Sequence, residues 1–229
     1  MQMRGINKVV NYTDNNLIRL AGTVVSEKTF SHEVYGEGFY SFDLEVPRLS
    51  DNSDIIPVTV SERLLAGINF EIGKKVVIDG QFRSYNNYEN EKNKLVLTVF
   101  VKEIREQTEE DATLNPNEIM LNGFICKKPI YRTTPFGREI ADILLAVNRA
   151  YNKSDYIPCI AWGRNARYCQ NLGIGENVKI WGRIQSRQYE KKFEDGTSEM
   201  RRAYEVSISK MEIEKSADNL DYNLEEQKA

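Results

Sequence analysis

Residues 156–163 read YIPCIAWG, and residues 55–62, 101 positions earlier, read IIPVTVSE. Side chains alternate across a strand, so Ile157, Cys159 and Ala161 fall on one face while Tyr156 and Trp162 fall on the other. Working outward, the earlier copy keeps its place. Leu20-Ala21-Gly22 returns as Leu121-Asn122-Gly123, and Val46-Pro47-Arg48 as Val147-Asn148-Arg149. One residue later in register, Ile72-Gly73 meets Ile174-Gly175, and Ile78-Asp79-Gly80 meets Ile180-Trp181-Gly182. Glycine and Ile-Pro anchors at a nearly constant offset imply a duplicated domain of about 100 residues. The join, REQTEEDATLNP at 105–116, is charged, polar and ends in proline, as an exposed linker does. The expected organisation is a first domain over 1–104, a linker over 105–116, a second domain over 117–212 and an acidic tail over 213–229.

Each half reads mostly as strands. In the second, residues 120–126, 140–149, 156–162, 178–189 and 203–212 are β-rich and bounded by turn-forming clusters. The one helical stretch, 165–172, falls between the third and fourth strands, and 62–69 repeats it in the first half. Five strands with a helix after the third is the order of an OB-fold, a small Greek-key barrel. The expected class is therefore all-β, with two OB-folds in tandem.

The rarest residues exclude most chemistry. With one histidine, His32, among 229 residues, a His-Cys zinc cluster, a paired-His metal site and an ordinary Ser-His-Asp triad are all disfavoured. The three cysteines, Cys126, Cys159 and Cys169, form no CxxC pair and read as reduced, mostly buried thiols. GINFEIGKK at 67–75 has the wrong glycine spacing for a phosphate loop and lacks the Ser or Thr after lysine. No cofactor, no metal and no catalytic role are expected. No apolar run is long enough to span a bilayer, so a cytoplasmic protein without membrane contact is expected.

The net charge of −3 hides its distribution. Residues 1–104 carry 12 Lys and Arg against 14 Asp and Glu, and residues 105–116 carry 1 against 4. Residues 117–211 carry 16 against 10, and residues 212–229 carry 2 against 6. A basic block between acidic segments presents a field that a polyanion feels locally. A solvated surface with chance asymmetry is the plainer reading of charge alone.

Residues 119–212 resemble the OB domain of bacterial single-stranded DNA-binding proteins. The similarity runs through NGFI at 122–125, YRTTPFG at 131–137, LAVNR at 145–149, YIPCIAWG at 156–163 and VKIWGRIQSR at 178–187. The first half resembles the same family through the duplication, keeping Gly22, Arg48 and Gly80 without the Trp-Gly pair. The layout is similar to the tandem-OB variant of the family, in which dimers supply four OB domains. The resemblance implies single-stranded DNA as partner and a homodimer. It also places Tyr151, Tyr156, Trp162 and Tyr189 where the family carries its base-stacking aromatics.

The residues support that function independently. Every base has a π-face, so an aromatic platform binds without regard to sequence, at about 1–3 kcal/mol per stack. Arg132, Arg138, Arg149, Lys153, Arg164, Arg183, Arg187, Lys191, Lys192, Arg201 and Arg202 interleave with these rings as candidate phosphate contacts, and Phe193 lies in the same hairpin. Arg149 aligns with Arg48, which gives it a structural reading as well. Trp181 reads as packing or subunit interface.

Opposite Tyr151, Tyr156 and Trp162 the first half carries Ser50, Ile55 and Ser61, with Tyr85 or Tyr88 near the fourth position. The second domain is therefore expected to be the main DNA-binding surface. The first is expected to add weaker contacts or self-association, and equal affinity of the isolated halves would refute this. The tail, SADNLDYNLEEQKA at 216–229, is acidic but lacks the family's hydrophobic, proline-containing tip, which puts recruitment of replication and repair proteins in doubt. The alternative function is a primosome-like accessory scaffold acting through protein contacts. Stacking and phosphate contacts do not read the sugar, so single-stranded RNA is an alternative ligand.

Overall fold

The computed structural model describes residues 15–89, 92–193 and 196–214, with side chains at 87–89 and 92–94 left out, so all of the expected tail but Ile213 and Glu214 lies outside the described residues. The first half comprises β1 (Asn16–Val24), β2 (Thr29–Val34), β3 (Glu37–Pro47), β4 (Ser53–Ser61), α1 (Glu62–Leu65), β5 (Lys75–Glu89) and β6 (Lys92–Glu106). The second comprises β7 (Asn117–Ile125), β8 (Ile130–Thr133), β9 (Glu139–Arg149), β10 (Lys153–Trp162), α2 (Arg164–Cys169), β11 (Asn177–Lys192) and β12 (Ser198–Ile213). Among the described residues, no helix is long and apolar enough to cross a membrane.

Each half closes into a five-stranded OB barrel. In barrel one the order is β1-β5-β6-β4-β3, and β3 returns to β1 through Thr23↔Glu45 and Val24↔Leu44. In barrel two it is β7-β11-β12-β10-β9, closed by Phe124↔Ala146 and Ile125↔Leu145. One parallel ladder in each, β4 with β6 and β10 with β12, marks the Greek-key crossover. Alternation along these strands fills the interiors. Leu20, Leu44, Ile56, Val58, Ile78 and Val99 are buried in barrel one, and Leu121, Leu145, Ile157, Cys159, Ile180 and Val206 in barrel two. Each such aliphatic side chain contributes about 1.5–3 kcal/mol relative to exposure.

The repeated glycines have a steric cause. A Cβ on Gly22 or Gly123 would meet the carbonyl oxygen of Glu45 or Ala146, where the barrels close. One on Gly80 or Gly182 would meet that of Phe100 or Ser207, where β5 and β11 change register against their partners. Gly182→Ala is therefore expected to destabilise the chain by about 1–3 kcal/mol through backbone overpacking, read as a lower urea midpoint at unchanged m. No change would show that the bulge relaxes freely.

Two features go beyond the sequence reading. Each half has one strand more than five: β2 and β8 pair only with β3 and β9, and β2 is exposed at all six of its positions. The barrels are also joined by β1 and β7, antiparallel with Ile18 opposite Ile119. Those two residues are 101 apart, so a pseudo-twofold axis passes through their pair. Asn16 and Asn117 obey it. Asn16 exchanges hydrogen bonds with the backbone of Phe82 (2.8 and 2.9 Å), and Asn117 does the same with Ile184 (2.8 and 2.9 Å).

The connection between barrels contains a short 3-10 turn, Asp111–Thr113, pinned by Asp111. Its carboxylate accepts from both terminal nitrogens of Arg105 at 2.6 Å and from the Thr108 N–H at 2.8 Å. These donors hold its pKa far below the usual carboxylate range.

Candidate nucleic-acid interface

Strand β10 builds the centre of the site. Its inner row, Ile157, Cys159 and Ala161, is buried, while Tyr156 (47%) and Trp162 (37%) are exposed on the outer face. The Trp162 indole N–H donates to Ser207 Oγ on β12 at 3.1 Å, which orients the ring across the parallel ladder. Gly163 follows at φ 54° and ψ −119°, a conformation open to glycine, and turns the chain into α2. Tyr151 stands at the β9–β10 turn, 95% exposed and left-handed at φ 61°, with Asn152 also left-handed. Left-handed backbone costs a tyrosine about 1–2 kcal/mol, and the turn returns it no burial.

The long β11–β12 arm extends this face. Arg187 lies over the Tyr189 ring at 5.7 Å, and Phe193 sits between Lys191 (5.3 Å) and Arg201 (5.6 Å). Arg201 also pairs with Glu199, and Arg132 with Asp142, both at 2.8 Å. Among the described residues Arg138, Lys153, Arg164, Arg187 and Lys192 are exposed and make no ion pair. Arg202 is half-buried beside Tyr204. Trp181 lies on a different surface, with Lys179 and Lys210 over its ring at 5.3 and 4.5 Å.

Two of the predicted cations turn instead to buried carboxylates at the junction. Asp54, fully buried, accepts from Arg48 (2.6 and 2.8 Å) within barrel one, and from Arg183 (3.2 Å) and the Ser186 N–H (2.7 Å) of barrel two. Asp155, its counterpart 101 residues on, accepts from the Ser84 N–H of barrel one at 2.7 Å and faces Arg149 at 3.4 Å. The arm of each barrel thus crosses the third barrel strand of the other. Tyr156 N–H donates to Ser84 Oγ at 2.7 Å, bringing the outer face of β10 against the residue before Tyr85, which is half exposed. The Tyr88 side chain lies outside the described residues.

The sequence reading passed over two rings. Tyr35 (105% exposed) and Phe136 (92%) stand at the β2–β3 and β8–β9 hairpin tips, each before a glycine with positive φ. They are 101 apart, so an aromatic-glycine pair recurring at the repeat offset was the available signal. The thiols of Cys159 and Cys169 are buried, the latter pushed up to about 11 by desolvation, and among the described residues no group of His, Cys, Asp and Glu is placed to hold a metal.

A model of the single-strand binding protein family matches residues 116–214. Single-stranded DNA-binding protein B of Bacillus subtilis (strain 168) is 38% identical over 84 residues, covering 32% of this chain and 72% of that protein. Single-stranded DNA-binding protein 1 of Staphylococcus aureus (strain COL) is 40% identical over 81 residues, covering 32% of this chain and 48% of that protein. The chain spans about half the length of most of the curated relatives it matches. Among solved structures, the wild-type single-stranded DNA binding protein from Thermus aquaticus superposes with a TM-score of 0.71 at 18% identity, covering 88% of this chain and 94% of that one. At that identity the likeness speaks to fold, and it extends over both barrels.

Proposed function

We propose, because the chain belongs to the single-strand binding protein family, that it binds single-stranded DNA without regard to sequence and coats strands exposed in replication, recombination and repair. The observation that carries this reading is the outer face of β10, where Tyr156 and Trp162 stand exposed beside the turn residue Tyr151. Bases stack on these rings and on Tyr189, while the exposed cations around them neutralise phosphates. Barrel two is the main binding surface. The role is non-catalytic, and binding itself protects the strand.

Oligo-dT titrated against tryptophan fluorescence, beside a duplex of matched length, tests the reading. Single strands should quench strongly and duplex weakly. Each phosphate neutralised adds about −0.7 to the log–log salt slope, so six contacts would cost about 300-fold in affinity over a fourfold rise in salt. Equal affinity for duplex, or no salt dependence, would overturn this function in favour of a scaffold working through protein contacts.

The protein works as a homodimer that brings four barrels together. The argument rests on the open face of the sheet β6-β5-β1-β7-β11-β12, where Leu17, Met120 and Trp181 lie among charged pairs such as Arg19–Asp79 (2.9 Å). A pseudo-twofold surface of mixed apolar and paired charged character is suited to pack on its own copy. Sedimentation equilibrium should give twice the chain mass of 26.4 kDa, and a monomer at micromolar concentration would refute the dimer.

A further inference from the structure

In barrel two, Trp162 lies opposite Ile140 on β9 and bonds Ser207 on β12. The same three places in barrel one are fixed by register. Ser61 lies opposite Phe39 on β3, and Phe100 sits beside Thr59 on β6, as Ser207 sits beside Ile160. Barrel one therefore exchanges the pattern: the central ring becomes serine, and both flanking positions become phenylalanine. Barrel one thus carries its rings, both of them half-buried, on the two neighbouring strands.

The two rings are part of a longer run. His32 on β2 stacks on Phe39 at 4.9 Å with an interplanar angle of 6°, and Phe39 lies 5.6 Å from Phe100. The Arg83 guanidinium covers Phe100 at 3.7 Å. Beside this run is a groove of about 510 Å³, lined among others by His32, Arg83, Tyr85, Phe100 and Arg149, with no carboxylate in its lining. Such a wall is unexpected in a half with more acidic than basic residues. Strand β2 is exposed throughout and presents Val34 and Phe30 (63% exposed, edge-on to Tyr40 at 5.8 Å) to solvent.

The groove continues into the face of barrel two. Arg83 and Arg149 also line a second cavity, of about 420 Å³, that reaches Tyr151 and Lys153. An occupant of both cavities would have to be flat, anionic and long enough to pass from one barrel to the other.

We infer that the His32–Phe39–Phe100–Arg83 surface is a second base-stacking site for the same single strand, which crosses from Tyr151 over Arg149 and Arg83 into barrel one. This rests on the single-strand binding reading above and adds where the strand goes next. Arg83 and Arg149 face the single buried carboxylate of Asp155, Arg149 at 3.4 Å, so the crossing keeps a net positive charge, and Tyr85 supplies a further ring at its edge.

Oligo-dT carrying 5-iododeoxyuridine, photocross-linked to the full chain and mapped by mass spectrometry, tests the path directly. Adducts at His32, Phe39 or Phe100, in addition to those on Tyr151, Tyr156 or Trp162, are the expected result. The double variant Phe39→Leu/Phe100→Leu keeps apolar volume and removes the π-faces. It should weaken binding of an oligomer long enough for both barrels by about tenfold, while leaving a short oligomer that fills only barrel two unaffected. Adducts confined to barrel two, with the long-oligomer affinity of the double variant unchanged, would overturn the inference and leave the function standing. Failure of the unmodified chain to bind oligo-dT at all would overturn both. The mapping uses the unmodified chain, so it decides the question even where a variant folds poorly.

Discussion

Replacing Asp54 by alanine is expected to lower the unfolding free energy by about 3–5 kcal/mol, the cost of breaking a buried charge network at one partner. Asp54 is fully buried and ties both barrels: Arg48 holds it from its own side, Arg183 and the Ser186 N–H from the other. Its removal leaves two guanidinium groups facing each other and orphans a backbone donor, and neither is easily rehydrated at the junction. Urea denaturation of the full chain should show a lower midpoint. A loss below about 1 kcal/mol, the range of exposed ion pairs, would mean that water reaches the network. The equivalent change at Asp155 should cost less. One of its carboxylate oxygens has no hydrogen-bond partner among the described residues, and its Arg149 contact is longer, at 3.4 Å. Desolvation raises its pKa, so the folded chain holds this proton more tightly than the unfolded one. Acid that protonates Asp155 therefore favours the fold, and this group does not drive acid unfolding.

The unequal standing of these two aspartates shows where reading the sequence stops. Strands and barrel class followed from periodicity and from glycines 101 or 102 residues apart, because each reports a local rule: alternation, or a place where only hydrogen fits. The helices, expected over 62–69 and 165–172, are shorter, Glu62–Leu65 and Arg164–Cys169. The outer face of β10 followed from the same alternation. The junction did not. Asp54 and Asp155 sit at the repeat offset, yet a carboxylate beside alternating apolar residues reads as a solvated strand end. Only the crossing of the β5–β6 and β11–β12 arms makes it buried. Arg149 and Arg183 carry the same ambiguity, since in sequence a cation near aromatics looks alike whether it faces solvent alone or a buried carboxylate as well. In barrel one, comparison position by position gives Ser50, Ile55 and Ser61, with Tyr85 or Tyr88 near the fourth place, and therefore a face of weaker contacts. Phe39 and Phe100 lie on flanking strands about 60 residues apart in sequence, and no spacing rule joins them before the β3–β4–β6 pairing is known.

Trp162→Ala is expected to weaken single-strand binding by about 1–3 kcal/mol, or about 5- to 150-fold in Kd. The effect should be large because the ring is already oriented: its N–H is fixed on Ser207 Oγ, so a base arriving on its face orders little that was free. The salt dependence separates stacking from charge. Trp162 carries no charge, so its loss should shift the whole log Kd against log salt line while leaving its slope unchanged. Loss of an exposed cation such as Lys153 should instead flatten the slope by about 0.7. Trp162→Phe keeps a π-face and should recover most of the affinity. In the alanine variant Trp181 is the only tryptophan left, and its position on the open sheet face predicts emission that responds little to oligo-dT. Unchanged affinity in Trp162→Ala would remove the central stacking residue from the site. A changed slope with unchanged intercept would mean that the substitution had disturbed the cations around it, so that the ring positions charges and does not itself bind a base.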